Sequence, residues 1–300
     1  MIAWVAPRTV IAVYDDTFVV GIDPVSLHAL WRKSLPTIPS DDLVRSASGL
    51  VFIFPPLDGS VGPTTLTTLN QNGRMRSVVL TKVQTGAQED ASGSSNLTGS
   101  QGSLTVDPAS NTAYVYAVGD PVAQVDLGSL TVGYHTLPKR TLASTQYGIT
   151  GPEPLIVWLG SGLIAITGRS GSTATDSQGI QHPVETPAGL SILNTGTWTT
   201  RSVDQTSSAV IQTGGLLLAY SQLFGYSGRI TFTGDGLSAY GLDGTSKYHL
   251  FGQDPISDVQ AANGLAYIGG NVVNVITVAS GKTVKARVPG LLKLLIDPPL

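Results

Sequence analysis

The side chains able to do chemistry in this 300-residue chain are few and scattered: twenty carboxylates, four histidines and no cysteine. Without cysteine there is no disulfide, no thiolate zinc site and no cysteine nucleophile. His28, His135, His182 and His249 show no His-x-x-x-His or His-Glu spacing, so zinc is not indicated. Three of them fall on segments that read as outer strands, and His182 falls in what reads as a loop. Serine is abundant, yet no Gly-x-Ser-x-Gly elbow joins a strand to a helix. Gly168–Gly171 reads as loop composition, not as a phosphate cradle, because no helix follows it. Calcium is the metal the composition permits, through oxygen ligands that converge from several strands. The candidates are Asp41, Asp42, Asp107 and Asp258, with Glu153 and Gln260, on stretches that read as inner strands. The plain alternative is that these are polar groups at a rim or in a channel, solvated by water. With twenty acids some glycosidase-like carboxylate pair is inevitable and carries no weight.

A second set of oxygens recurs with the chain itself. Asp23, Asn70, Asp126, Asn194 and Asp243 each stand near the end of a strand pattern, just before a turn. An Asp or Asn there accepts hydrogen bonds from turn amides two residues on. One such residue per repeat is expected of a folding device, so these five read as hairpin caps and not as catalysts. Trp31, Tyr134, Trp198 and Tyr248 follow on or near outer strands and read as covers for seams between sheets.

The elements that must position these groups come from a repeat. Short apolar strands recur at Val10–Tyr14, Leu50–Phe54, Thr112–Tyr116, Leu163–Thr167, Leu216–Tyr220 and Leu265–Gly269. Gly49, Asn111, Gly162, Gly215 and Gly264 precede five of them and supply the positive φ of a tight turn; the first copy has Arg8-Thr9 there instead. A core period of about 40–45 residues fits a four-stranded propeller blade. Polar insertions at 84–101, 139–152 and 169–187 lengthen it and read as loops. No 3.6-residue stripe of useful length is present, so the expectation is all-β. A single sheet with two apolar faces cannot bury them without neighbours, and radial repetition supplies those neighbours.

Composition sets the outer bounds. Apolar residues make up 41% of the chain, which is enough to offset chain entropy and to exclude disorder. Charged residues are only 12% and net charge is −3, which gives no general attraction to nucleic acid. The basic Arg74, Arg76 and Lys82 read as a solvated strand face. No apolar run is long enough for a membrane-spanning helix. Met1–Val5 is apolar but lacks a basic leader and runs into a strand pattern, so it does not read as a signal peptide.

Asn111–Ala117 with Val122–Leu127 resembles a YVTN-type β-propeller repeat. Val20–Pro24 ending in Leu30–Arg32 resembles a repeat of the quinoprotein-like (PQQ-like) propellers. The likeness runs from about Ile2 to Pro289 and is to a bacterial, exported, actinobacterial group of such propellers, to which no common function attaches. It implies one β-propeller domain over residues 1–300, with six visible blades at 1–36, 41–83, 102–138, 154–204, 207–252 and 255–289. Residues 291–297 would be a closing strand. A closed six-bladed ring and a seven-bladed propeller lacking its export signal and most of one blade both stay open. A quinone-dependent enzyme would need calcium, an aromatic floor and, in many cases, a vicinal cysteine pair, so no cofactor is expected. The preferred function is a non-catalytic binding or scaffold module acting through its loops or central channel. Its partner would be a protein, a glycan or a small ligand, and the chain a monomer. The alternative is a channel-mouth enzyme such as a calcium-dependent lactonase or esterase. The resemblance implies an extracellular or envelope location, with the cytoplasm as the alternative.

Overall fold

Among the described residues of the computed structural model, every regular element is a β-strand. The structure describes residues 2–6, 9–14, 18–39, 44–58, 60–86, 88–89, 97–98, 101–137, 153–226, 229–270 and 272–289. The candidates Asp41 and Asp42, residues 291–297 and the insertion 139–152 lie outside them. Six sheets follow one pattern, four strands antiparallel in chain order. The first holds Ile2–Ala6, Thr9–Tyr14, Phe18–Ile22 and Ala29–Ser34. The second holds Val44–Ser46, Gly49–Phe54, Gly62–Asn70 and Met75–Thr85. The third holds Gly102–Asp107, Thr112–Ala117, Val122–Asp126 and Val132–His135. The fourth holds Glu153–Gly160, Leu163–Thr175, Leu190–Asn194 and Thr199–Asp204. The fifth holds Ala209–Thr213, Leu216–Tyr220, Leu237–Gly241 and Ser246–Leu250. The sixth holds Asp258–Ala262, Leu265–Gly269, Val272–Thr277 and Thr283–Pro289.

The chain forms two compact units, Met1–Arg140 with Gly151–Trp158, and Thr141–Thr150 with Leu159–Leu300. In the first, Gly49–Phe54 is buried at every position. Its side chains alternate between faces. Leu50, Phe52 and Phe54 pack with Val19, Leu35 and Leu69, while Val51 and Ile53 enter a separate core with Leu104, Val106 and Val115. One strand thus joins two cores. In the second unit Leu218, Leu237 and Ala239 of the fifth sheet pack on Val259, Ile268 and Ile276 of the sixth. Burial of each such Leu, Ile or Phe is worth about 1.5–3 kcal/mol, well above an exposed ion pair at about 0–1 kcal/mol.

Turn chemistry explains the strand ends. The pairs Ser161-Gly162, Gly214-Gly215 and Asn263-Gly264 have positive φ at both positions, from 52° to 76°. This is the primed turn whose twist matches a hairpin. Between third and fourth strands, Leu27, Leu130 and Trp198 take φ of 58°, 62° and 55°. Their amides donate to the carbonyls of Asp23, Asp126 and Asn194 at 2.9, 2.8 and 2.7 Å. Trp198 therefore sits in a strained turn, directly before the outer strand Thr199–Asp204. A left-handed non-glycine residue costs about 1–2 kcal/mol.

One register position of the outer strand recurs as a bridge. Trp31, Arg76, Arg201 and Tyr248 stand opposite Gly21, Thr68, Ile192 and Ala239. Each reaches the turn between third and fourth strands of the following sheet. Trp31 Nε1 donates to the Gln71 carbonyl at 2.9 Å, Arg76 to Gly128 at 2.8 Å and Tyr248 to Val278 at 2.7 Å. The Arg201 guanidinium packs on Gly244. Tyr134 instead meets Thr81 through its hydroxyl at 3.3 Å and lies under Lys82.

Two opposite substitutions test this account by denaturant unfolding. Leu27 is 75% exposed with φ 58°, so Leu27→Gly raises stability by about 1 kcal/mol. At Gly73, φ is +72° and an added Cβ would stand 2.7 Å from the Trp31 ring, so Gly73→Ala lowers stability by about 1–3 kcal/mol.

Candidate interaction surface

The oxygens singled out in the sequence are occupied locally. Asp23 Oδ1 accepts the amides of Val25 and Ser26 at 2.8 and 2.9 Å. Asn70 Oδ1 accepts those of Asn72 and Arg74, and Asn194 Oδ1 those of Gly196 and Thr197. Asp126 Oδ1 accepts the Ser129 amide and hydroxyl. Asp243 Oδ1 accepts the hydroxyl and amide of Thr245. The Ser26, Ser129 and Thr245 donors hold the carboxyls of Asp23, Asp126 and Asp243 below the usual range. The bonded pair that closes the fifth sheet's turn is Gly241 with Thr245, so Asp243 stands two residues later in its turn than the others do in theirs.

Of the calcium candidates, Asp107 and Asp258 lie among the described residues, and each has local partners. Asp107, in the first unit, accepts the Ala109 amide and the Ser110 hydroxyl. Asp258, in the second, accepts the Gln260 side-chain amide at 3.2 Å. Among the described residues no three His, Asp or Glu side chains share one point. Asp258 also acts on Tyr220. Burial first, then the Asp258 charge, push the Tyr220 phenol up to about 12.

Asn194 and Asp243 are brought to one open cleft of ≈ 330 Å³ in the second unit, with Arg201, Leu163, Ile192 and Leu242. There Asn194 Oδ1 and Asp243 Oδ1 accept from their own turns. Ser238 Oγ lies 3.0 Å from His249 Nδ1, but the two are directly opposite in register, and strand pairing by itself produces that contact.

The insertion read as a loop at 169–187 is instead a hairpin. Leu163–Thr175 runs on past the fourth sheet and pairs with Gln181–Pro187, Arg169 opposite Pro187 through Thr175 opposite Gln181. His182 and Gly168–Gly171 are therefore strand residues. The Ser, Gly and Thr content hid this, because the ladder uses backbone groups that any residue carries. Asp176 closes the turn: its Oδ1 accepts the amides of Gln178 and Ile180, and its Oδ2 lies 2.8 Å from His182 Nε2. The His182 contact first, then the Ile180 amide, hold this carboxyl below the usual range. At the other insertion, Gln88–Glu89 pairs with Leu97–Thr98.

A second hairpin, Leu223–Tyr226 with Ile230–Thr233, braces the first. The His182 ring stacks on Tyr226 with centroids 3.4 Å apart and planes at 11°. The Phe224 amide donates to Glu185 Oε2 at 2.8 Å, and Glu185 Oε1 meets Arg169 at 3.3 Å. Phe224 and Phe232 are cross-strand partners in an edge-on contact at 5.7 Å. Alternation puts Phe224, Tyr226 and Phe232 on one face. Tyr226 is covered by His182, whereas Phe232 is 54% exposed. Ile180, by the Asp176 turn, is 52% exposed. No charge run or motif in the sequence marked the 223–233 hairpin. Only the aromatic alternation Phe224, Tyr226, Phe232 could have done so.

No protein-family model and no curated protein matches the chain. Solved structures do. The WD40 domain of Pan2 from Neurospora crassa is 8% identical over 93% of this chain and 75% of that one, with a TM-score of 0.55. The WD40 repeats of RRP9 are 8% identical over 94% and 77%, with a TM-score of 0.53. BamB from Moraxella catarrhalis is 15% identical over 97% and 87%, with a TM-score of 0.47. The fold is an all-β β-propeller of four-stranded sheets.

Two outcomes follow. Tyr220 has a folded pKa above its unfolded value of 10.0, so its contribution is complete below pH 10 and is lost as pH rises toward 12. About two pH units correspond to about 2–3 kcal/mol. The unfolding free energy of the native chain therefore falls by this amount across that window, and Tyr220→Phe removes this component; stability profiles that coincide would refute it. Asp176→Ala speeds hydrogen exchange at the Gln178 and Ile180 amides and leaves the global unfolding midpoint in place, because the turn is local.

Proposed function

We propose that the chain is a non-catalytic binding module, one propeller domain whose recognition surface is the paired hairpins 169–187 and 223–233. The observation that carries this is Phe232: a large aromatic, 54% exposed, on a hairpin held in place by stacking and by the Glu185 contact. An exposed aromatic on a preorganised support is the anchor that interfaces use. The five Asp and Asn residues at the hairpin ends act as turn caps in this reading, and Asp107 and Asp258 as local structural carboxylates. A surface poor in charge and rich in Ser, Thr and Gly supports an exported setting.

A photo-crosslinking residue placed at Phe232 in the producing cell yields a discrete adduct, while the same residue at Val25, 92% exposed, yields none. Equal labelling at both positions would refute the reading. Thermal unfolding is unchanged by added calcium; a midpoint raised by calcium would favour the channel-mouth hydrolase instead.

A further inference from the structure

We infer that the cleft between the fourth and fifth sheets binds a small neutral indole or phenol, a flat ring with one N–H or O–H donor on its edge. This site shares no residue with the paired hairpins and stands whether or not they are a recognition surface.

The first support is what the chain itself puts in the same place at other seams. Trp31, Arg76, Arg201 and Tyr248 share one register position of the outer strand. Trp31, Arg76 and Tyr248 each end in a hydrogen bond to a turn carbonyl of the following sheet: those of Gln71, Gly128 and Val278. Arg201 differs. Its guanidinium lies on Gly244, as the Trp31 ring lies on Gly73 and the Tyr248 ring on Gly281. Among the described residues, however, it donates no hydrogen bond to the turn. The two carbonyls that meet a ring donor, Gln71 and Val278, stand one residue past Asn70 and Thr277, whose amides close their turns. The counterpart in the fifth sheet is Leu242, one residue past Gly241. Among the described residues nothing donates to the Leu242 carbonyl. An indole and a phenol are what this chain uses to satisfy that carbonyl elsewhere.

The second support is space. The seam holds the open cleft of ≈ 330 Å³, and Leu242 lines it. A cavity of about 150 Å³ accepts benzene, so a one- or two-ring molecule fits. Leu163 stands opposite Asn194 and Ile192 opposite Arg201. Alternation puts these four on one face of the fourth sheet, which gives an apolar floor beneath a guanidinium. Arginine stacks on aromatic faces by its plane and its charge. The third support is charge balance. Arg201 and Asp243 are the two charged side chains that line the cleft, one of each sign. Thr245 first, and more weakly the Lys247 and Arg201 charges, hold the Asp243 carboxyl below the usual range. Lys247 is not among the lining residues. A cleft with one cation and one anion selects for neither sign, so the ring it takes is neutral.

The test titrates the full chain, isotope-labelled, with indole, 1-methylindole and cyclohexanol. Indole shifts the Leu242, Asp243 and Gly244 amides. 1-Methylindole keeps the ring but loses the donor, and it binds several-fold more weakly. Cyclohexanol keeps a donor but has no aromatic face, and it too binds several-fold more weakly. Arg201→Trp places in the chain the ring that Trp31 supplies at its own seam, and it abolishes indole binding. Arg201→Gln removes the charge over the ring and weakens indole binding several-fold while the unfolding midpoint stays at the parent value. That smaller change keeps the test decisive if the tryptophan disturbs folding. Val25→Asp leaves indole binding unchanged. Four results would each overturn the inference: no shift in the cleft up to the solubility limit of indole, shifts confined to residues elsewhere, equal binding of indole and 1-methylindole, or undiminished binding by folded Arg201→Trp.

Discussion

A four-stranded sheet with two apolar faces has no stable existence by itself, and that constraint organises this chain. Gly49–Phe54 shows it in one strand: Leu50, Phe52 and Phe54 lie in one core, Val51 and Ile53 in another. Removing either neighbour would expose half of a strand that is buried throughout. The cost, several side chains at about 1.5–3 kcal/mol each, exceeds what any surface contact here returns. Thr112–Ala117 is buried throughout in the same way, and Tyr114 stacks on Trp158 at 5.7 Å. Ser103 and Thr105 on the neighbouring strand accept the amides of Ile156 and Trp158, so polar groups at that seam are satisfied and not merely hidden.

Around these cores the periphery is held by direction rather than by area. Trp31, Arg76, Arg201 and Tyr248 share one register position and differ in chemistry. An indole, two guanidiniums and a phenol all fit because each must only reach a turn of the next sheet. The turns in question have room for them at Gly73, Gly244 and Gly281, where an added Cβ would meet the incoming side chain. Strain at Leu27, Leu130 and Trp198 is tolerated because each of those turns is closed by a backbone bond and by an Asp or Asn oxygen.

The hairpins at 169–187 and 223–233 obey a different rule. Leu223 and Ser170 at their bases are buried, and beyond them their order comes from contacts of high specificity: the His182–Tyr226 stack, the Asp176 turn and the Glu185 bridge to a backbone amide. Such a support holds aromatic side chains in place without burying them. That combination of rigidity and exposure is what recognition requires, and a propeller's sheets give it a firm base.

The sequence by itself determined the strand repeat, the all-β class, the tight turns at Gly162, Gly215 and Gly264, and the exclusion of cysteine chemistry. All of these are written in local spacing: alternation with period two, a turn residue before each second strand, a residue type present or absent. Tertiary structure alone decided that 169–187 is a hairpin, that Trp198 occupies a turn, and that Arg76 and Arg201 serve at the position Trp31 and Tyr248 hold. It also decided that His182 meets Tyr226, more than 40 residues away. A backbone ladder leaves no mark on composition, and a stack between distant rings leaves none on spacing. Both arise only when packing brings separate segments to one place.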